Sequence, residues 1–301
     1  MNYKQQNENE VIIKLDGRMA NQMFEWAFAR AFEAKNGVLP LIDNSKETLK
    51  LNHFKLMKDL KVIHQPLWNK ILRKIIIFRN LRNKITELKF DLPVYTEQTY
   101  YKFDENIYNC CTPIYLKGYF QCEKYLNEVR EQLLKDFELT KPLNNKNKAM
   151  LDKIKNTESV SIHFRRGDYT KEKIAKRFGN LGLQYYYDAV KEVVKISDKK
   201  PTLFIFSDDI KWVRKNVKFD YETVYVDINN GKQGYLDLEL MKKCKHNIIA
   251  NSSFSWMSAW LNENTNKIVV APKFWRPFIE SFQEEYDLIP NDWRRVNAYY
   301  N

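Results

Sequence analysis

The sequence predicts an α/β protein of two domains, in which parallel strands alternate with helices. The chain has 301 residues, which is long for one hydrophobic core. Short apolar runs alternate with helical patterns through its second half, as in a doubly wound parallel sheet. A polar, asparagine-rich stretch from Lys141 to Lys148 is typical of a linker. We therefore expect a first domain over 1–150, a second over 151–275, and a C-terminal segment, 276–301, that packs back on the first domain.

The first domain begins with a strand, a turn and a helix. Val11–Leu15 is the strand, Asp16–Arg18 the turn, and the helix starts near Asn21. Apolar rings recur along that helix every four residues, at Phe24, Phe28 and Phe32. Further strands are predicted at Val38–Ile42 and Ile114–Leu116.

The segment Trp68–Ile85 is predicted to be a basic amphipathic helix. Lysines and arginines surround its apolar positions, so it either packs an apolar face into the core or lies on an anionic membrane surface.

The second domain shows a more regular alternation. A buried strand is predicted at Leu203–Phe206, because this run is apolar throughout. The other predicted strands are Ser159–Phe164, Thr223–Val226, Asn247–Ala250 and Lys267–Ala271. The predicted helices are Gln184–Ile196, Ile210–Asn216, Tyr235–Lys245 and Phe254–Leu261. Ligands of such sheets bind beyond the carboxyl ends of the strands, so functional residues are expected there.

Composition indicates an anionic partner and a reducing compartment. Lys plus Arg number 50 and Asp plus Glu 38, and the net charge of +12 attracts nucleic acid, acidic lipid or phosphorylated ligands. The four cysteines fit no zinc pattern and are expected to be free thiols. No signal-peptide core is visible, and no run reaches the roughly 18 apolar residues of a membrane span. We expect a cytoplasmic protein, and a peripheral contact with the inner membrane is the alternative location that the basic segment suggests.

Two arginines follow the strand that ends at Phe164. Alternation along a strand puts His163 and Arg165 on one face. We assign Arg165 to a diphosphate, because a guanidinium fork matches two phosphate oxygens. His163 is expected to hydrogen-bond a nucleotide, and Arg166 to form a structural pair with Asp168.

Three other strand ends carry polar residues. After Phe206 come Asp208 and Asp209, one of which can cap a helix while the other accepts hydrogen bonds from a purine; a metal-binding acidic pair is the alternative. The run Ser252–Ser255 joins a strand to a helix N-terminus, which favours an anion or simple capping by serine. In the first domain, Arg18 is placed to meet phosphate and Asn21 to meet the sugar.

Several ordered motifs resemble one family. They are Asn21–Ala27, His163–Tyr169, Phe206–Asp209, Leu240–Asn262 and Ala271–Lys273. Together they make the chain resemble the bacterial α-1,2-fucosyltransferases of glycosyltransferase family 11. The resemblance implies a GT-B-like architecture of two facing Rossmann-like domains. It also implies inverting transfer of L-fucose from GDP-fucose to O-2 of a galactose-terminated glycan, in surface-glycan biosynthesis, with no cofactor or essential metal.

The same resemblance implies residue roles. His163 and one of Asp208 and Asp209 hold guanine, and Arg165 binds the β-phosphate. The phosphate site is lined by the run Ser252, Ser253, Phe254 and Ser255. Asn21 positions the donor. Ala20 stands where the family usually has glycine, which bears on acceptor choice.

Catalysis by displacement also needs a base for the acceptor hydroxyl, and we expect Asp16 in that role because its turn should face the cleft. One rival is a transferase for another GDP-sugar or another fucosyl linkage. A more distant rival is a non-catalytic basic protein that binds nucleic acid or acidic glycan, although no nucleic-acid-binding module is recognisable.

Overall fold

A computed structural model describes residues 10–44, 47–63, 92–170, 172–276 and 286–298. The chain divides into two compact units, Met1–Thr140 and Lys141–Asn301. The predicted basic helix Trp68–Ile85 lies outside the described residues.

The first unit contains a parallel sheet of four strands in the order β2-β1-β4-β3. The strands are β1 (Val11–Lys14), β2 (Leu41–Asp43), β3 (Val94–Thr96) and β4 (Ile114–Lys117). The α-helices are α1 (Met19–Asn36), α2 (Glu123–Leu126) and α3 (Arg130–Asp136). Short 3₁₀ turns occur at Lys55–Lys58, Glu105–Asn109 and Asn127–Val129.

Helix α1 is the core of this unit. The predicted stripe of Phe24, Phe28 and Phe32 is fully buried. The helix ends at Gly37, where a φ of 73° lets the backbone N–H donate to the Glu33 carbonyl at 2.7 Å. The strand–turn–helix start is therefore confirmed, with the helix beginning two residues earlier than predicted.

The second unit contains a parallel sheet of six strands in the order β10-β9-β8-β5-β6-β7. The strands are β5 (Ser159–Phe164), β6 (Thr202–Ser207), β7 (Glu222–Tyr225), β8 (His246–Ile248), β9 (Val269–Pro272) and β10 (Arg294–Val296). The helices are α4 (Asn145–Lys155), α5 (Glu172–Phe178), α6 (Leu183–Ser197), α7 (Ile210–Asn216), α8 (Gly234–Lys242) and α9 (Ser253–Trp260).

Both faces of this sheet are covered, as the apolar runs predict. Val160 and Ile162 pack into one buried cluster, while Phe204 and Phe206 pack into another. Because side chains alternate, His163, whose strand partner is Phe206, lies on the same face as that second cluster. The α/β fold class with parallel sheets is thus confirmed.

Two expectations about the boundaries need correction. The second half of the predicted linker is helical, because α4 begins at Asn145 and Asn144 caps it by accepting a hydrogen bond from the Asn147 backbone N–H at 3.0 Å. Residues 286–298 of the C-terminal segment pack within the second unit rather than on the first as predicted. Arg294–Val296 pairs with β9, and the Trp293 ring lies 5.3 Å from the Trp256 ring. Indole burial and strand pairing thus place this segment in the second unit.

Candidate active site

In the sheet of the second unit, the order in which successive strands are added reverses between β5 and β8. From β5 the strand order runs through β6 to β7, and from β8 it runs the other way to β10. Parallel α/β sheets bind ligands at such a reversal, in the crevice between the loops that follow the two strands. The Tyr169 hydroxyl donates to the Asn251 carbonyl at 3.3 Å and so joins the two loops.

Arg165 sits at this crevice between two carboxylates. Its guanidinium forms ion pairs with Asp168 and Asp208, and its side chain is 14% exposed. The guanidinium lies 5.1 Å from the centre of the Tyr169 ring. Arg165 is therefore held in one orientation from three sides, and its fixed positive charge is available to a ligand without a search through rotamers.

The Asp208 carboxylate holds the loop after β5 in place. One carboxylate oxygen accepts the backbone N–H of Arg166 at 2.8 Å and that of Gly167 at 3.0 Å, and the other binds Arg165. A Cβ on Gly167 would lie 2.4 Å from this carboxylate, so only glycine allows the approach. Asp208, one of the two aspartates predicted as candidates to contact guanine, is thus already engaged by three donors.

Arg166 differs from its expectation. It was predicted to pair with Asp168, but that carboxylate binds Arg165 instead. The Arg166 guanidinium lies 3.2 Å above the Trp212 ring, and its Nε is 3.7 Å from Asp209. The extended strand ends at Phe164, so its alternation no longer governs these two arginines.

Asp209 is the capping member of the acidic pair. Its side chain accepts the Trp212 backbone N–H at 3.3 Å and caps α7. Its own N–H donates to the Ser207 hydroxyl at 3.0 Å. Of the two aspartates, Asp209 is therefore the one that caps the helix.

His163 is buried beside the crevice, with 4% of its surface exposed. Burial lowers its pKa to about 4, and the neighbouring Arg165 charge acts in the same direction, although Asp208 opposes it. The ring is thus neutral at pH 7. Its Nδ1 has no hydrogen-bond partner among the described residues. A buried imidazole nitrogen in this state is suited to bind a ligand.

The residues of the serine run after β8 make different contacts. Ser252 occupies the N-cap position of α9, yet its side chain makes no capping hydrogen bond. Ser255 is fully buried, and its hydroxyl accepts the Ala250 N–H at 3.2 Å, so it shapes the turn rather than lining an open phosphate site. Ser253 and Phe254 open the helix, and the Phe254 ring lies 5.4 Å from the His163 ring. The helix start and His163 therefore adjoin.

In the first unit, the predicted residues lie at the carboxyl end of β1. The Asp16 backbone N–H donates to both oxygens of the buried Glu25 at 3.0 Å. Asn21 accepts a hydrogen bond from Gln121 at 2.9 Å, and Arg18 is exposed. Asp16 and Arg18 thus lie in the loop between β1 and α1, and Asn21 lies in the first turn of α1. Glu25 fixes the loop at Asp16.

Sequence reasoning missed the groups that hold these residues. Gly167, Tyr169, Trp212 and Glu25 each fix a predicted side chain or its backbone. Gly167 lies within a motif already singled out, but its partner Asp208 is 41 positions away. Only the pairing of β5 with β6 brings the two together.

Two features are absent from the described part of the chain. No group of three or more His, Cys, Asp or Glu side chains is placed there to hold a metal ion. None of the helices described is long and apolar enough to cross a membrane.

Comparisons with known proteins agree with the motifs. The chain is 30% identical to the O-antigen biosynthesis glycosyltransferase WbnK of Escherichia coli, over 87% of this chain and 93% of that protein. It is also 30% identical to an alpha-1,2-colitosyltransferase of Escherichia coli, over 95% of this chain and 98% of the relative. A solved structure, NodZ alpha-1,6-fucosyltransferase with GDP, aligns at a TM-score of 0.47 and 13% identity over 84% of this chain and 92% of that one, too remote a likeness to carry an argument.

The family model named Glycosyl transferase family 11 matches residues 1–296, nearly the whole chain. This match confirms the resemblance that the motifs indicated, and with it the enzyme class, a glycosyltransferase. The chain belongs to glycosyl transferase family 11.

Proposed function

We propose that this glycosyltransferase moves L-fucose, with inversion, from GDP-fucose to O-2 of a galactose-terminated glycan. The observation that carries the proposal is the cluster at the β5–β8 crevice, where a buried neutral imidazole, an oriented arginine and a helix N-terminus meet. Fucosyl and colitosyl transferases among the family relatives support the sugar class. The relative named for O-antigen biosynthesis supports a surface glycan as acceptor.

The diphosphate is held by Arg165 and the start of α9. Arg165 is already oriented by Asp168 and Asp208, and its remaining N–H groups can bind phosphate oxygens. The first backbone N–H groups of α9, near Ser252 and Ser253, add the positive end of the helix dipole. Both stabilise the charge that develops as GDP leaves, so the reaction as proposed requires no metal or cofactor.

The nucleotide is contacted by His163 through its unpartnered Nδ1. Because Asp209 caps α7 and Asp208 closes the loop, a guanine contact from either carboxylate has to use an oxygen that is already hydrogen-bonded. A carboxylate oxygen can accept more than one donor, so this contact stays part of the proposal.

The chemical step is a single displacement. The acceptor oxygen attacks the anomeric carbon of fucose, the bond from that carbon to the diphosphate oxygen breaks, and GDP departs with the electron pair. The hydroxyl proton passes to a base, for which Asp16 is our candidate. Arg18, in the same loop, and Asn21, in the first turn of α1, are proposed to contact the donor.

A donor and acceptor screen tests this function. The purified protein is incubated with GDP-fucose, GDP-colitose or GDP-mannose and a panel of galactosides, and the product linkage is determined. We expect transfer from GDP-fucose to O-2 of galactose. Preference for GDP-colitose would instead match the relative of that name and shift the assignment to another GDP-sugar.

Two variants test the residue roles. Arg165→Ala should weaken GDP binding by about tenfold or more, because charged hydrogen bonds contribute about 1.5–3 kcal/mol each. Arg214→Ala is the matched control, since Arg214 also forms an ion pair with an aspartate but is 52% exposed on α7. Asp16→Asn should lower the transfer rate at least tenfold with GDP affinity unchanged; normal turnover would remove Asp16 as the base.

The cellular setting is also part of the proposal. The sequence features favour a cytoplasmic enzyme that acts at the inner membrane surface, with the basic segment 68–85 as the contact.

A further inference from the structure

The carboxyl-terminal edge of the first unit's sheet carries two outward tyrosines with no role so far. Tyr100 follows β3 and is 50% exposed, among the most exposed large apolar side chains of the described residues. Tyr119 follows β4 and is half-buried. The ring centres of Tyr100 and Tyr119 lie 6.3 Å apart with planes inclined by 35°, so the two rings form one aromatic surface, which we call the tyrosine platform.

Strand register brings the candidate base to this surface. Ile13 of β1 pairs with Leu116 of β4 in a parallel ladder. Asp16 and Tyr119 each follow their strand by two residues, so both lie at the same edge of the sheet. Burial raises the pKa of the Tyr119 hydroxyl, and the negative charge of Asp16 raises it further. The tyrosine platform thus adjoins the turn that holds Asp16.

The backbone around the tyrosine platform is constrained. Tyr101 has a φ of 70° and Phe120 a φ of 51°, two of the three non-glycine residues with positive φ in the described chain. Each left-handed turn sends its own ring into the core, with Tyr101 9% and Phe120 0% exposed, and leaves the preceding tyrosine outward. Such backbone is unfavourable for bulky residues, and it is concentrated at binding and active sites.

Glu97 fixes the second of these turns. Its buried carboxylate accepts the Tyr119 backbone N–H at 2.8 Å and the Phe120 N–H at 3.3 Å. The Phe120 ring stacks on Phe28 of α1 at 3.9 Å. The backbone at Tyr119 is therefore fixed before a ligand binds, which lowers the entropy lost on binding.

We propose that the tyrosine platform binds the acceptor sugar, a galactoside. This proposal rests on the proposed function. A pyranose ring has an apolar C–H face that packs on aromatic rings and a hydroxyl edge that donates hydrogen bonds to carboxylates. Tyr100 and Tyr119 supply the rings and Asp16 supplies the carboxylate, so one sugar can stack and present a hydroxyl to the candidate base. Tyr100 and Tyr119 are specificity residues in this assignment, and Glu97 is a positioning residue.

The test separates acceptor binding from donor binding. Tyr100→Ala, Tyr119→Ala and Tyr119→Phe are assayed for the KM of lactose and of GDP-fucose. Val94→Ala is the control, because Val94 is also exposed, at 44%, but lies at the opposite end of β3. We expect each alanine variant to raise the lactose KM about tenfold, with the GDP-fucose KM unchanged. Tyr119→Phe should stay close to wild type if the ring face makes the contact.

Direct binding of lactose, measured by saturation-transfer NMR, separates the two proposals. If the wild type transfers fucose and Tyr100→Ala leaves the lactose KM unchanged, the tyrosine platform alone is overturned. Lactose binding that Tyr100→Ala abolishes, in a protein that transfers no fucose, keeps the tyrosine platform and overturns the proposed function. A wild-type protein that neither transfers fucose nor binds any galactoside of the panel overturns both. An equal rise in both KM values, or a rise in Val94→Ala, also rejects the platform.

Discussion

Gly167→Ala tests whether the close contact between Gly167 and the Asp208 carboxylate organises the donor site. The new Cβ would lie 2.4 Å from the Asp208 carboxylate, while real Cβ contacts begin near 3.0 Å. The carboxylate must therefore retreat. It sits on a short side chain held by two backbone N–H groups and by Arg165, so retreat weakens hydrogen bonds that it now makes at 2.8 and 3.0 Å.

The magnitude follows from those bonds. Weakening the hydrogen bonds of a charged acceptor costs about 1–3 kcal/mol. Replacing glycine by alanine also stabilises the protein by about 0.4–1 kcal/mol, because it restricts the unfolded chain. This gain applies at Gly167, since its φ is not positive and alanine can adopt the same backbone. We expect a net loss of about 1–2 kcal/mol in unfolding free energy, and about tenfold weaker GDP binding because Arg165 loses one of its orienting partners.

Urea unfolding and GDP titration calorimetry measure the two effects. Gly231→Ala is the matched control, since a Cβ there meets nothing within 4 Å. In an Asp208→Ala background, adding Gly167→Ala should cost almost nothing more, because the clash has been removed. The reasoning fails if Gly167→Ala matches Gly231→Ala in both stability and GDP affinity, or if its cost persists without the aspartate.

Three further predictions concern buried carboxylates and a cap. Burial raises the pKa of Glu97 to about 7, so its proton binds more tightly in the folded state, and stability falls as pH rises from the ordinary value of 4.5 through 7. Glu97→Gln should therefore raise the unfolding free energy in urea at pH 8.5 by up to about 3 kcal/mol and change it little at pH 4; an equal effect at both pH values would contradict this. Asp136→Ala should cost about 3–5 kcal/mol in urea unfolding, because it breaks a buried ion pair with Arg30 at 2.7 Å; a loss below 1 kcal/mol would contradict this. Asp209→Ala should cost about 1 kcal/mol by removing the cap that the Trp212 N–H donates to, with the Arg166 stack as the reporter in near-UV circular dichroism.

The sequence determined the elements of this fold because their signals are local. Periodic phenylalanines along α1 and the apolar run of β6 depend only on near neighbours in the chain. The parallel alternation then located the strand ends where His163 and the Asp208–Asp209 pair occur. The C-terminal strand β10 escaped prediction, since its three residues show no apolar period and its stability comes from pairing with β9.

Tertiary structure decided which charged groups meet. The sequence predicted an ion pair between Arg166 and its neighbour Asp168. Strand pairing instead brings Asp208 to the same loop, and the guanidinium between the two carboxylates is that of Arg165. Ion pairs depend on distances of a few ångströms, and residues 43 positions apart come that close only after the sheet forms. The sequence alone therefore determined the residue types at the strand ends, and the paired strands determined their partners.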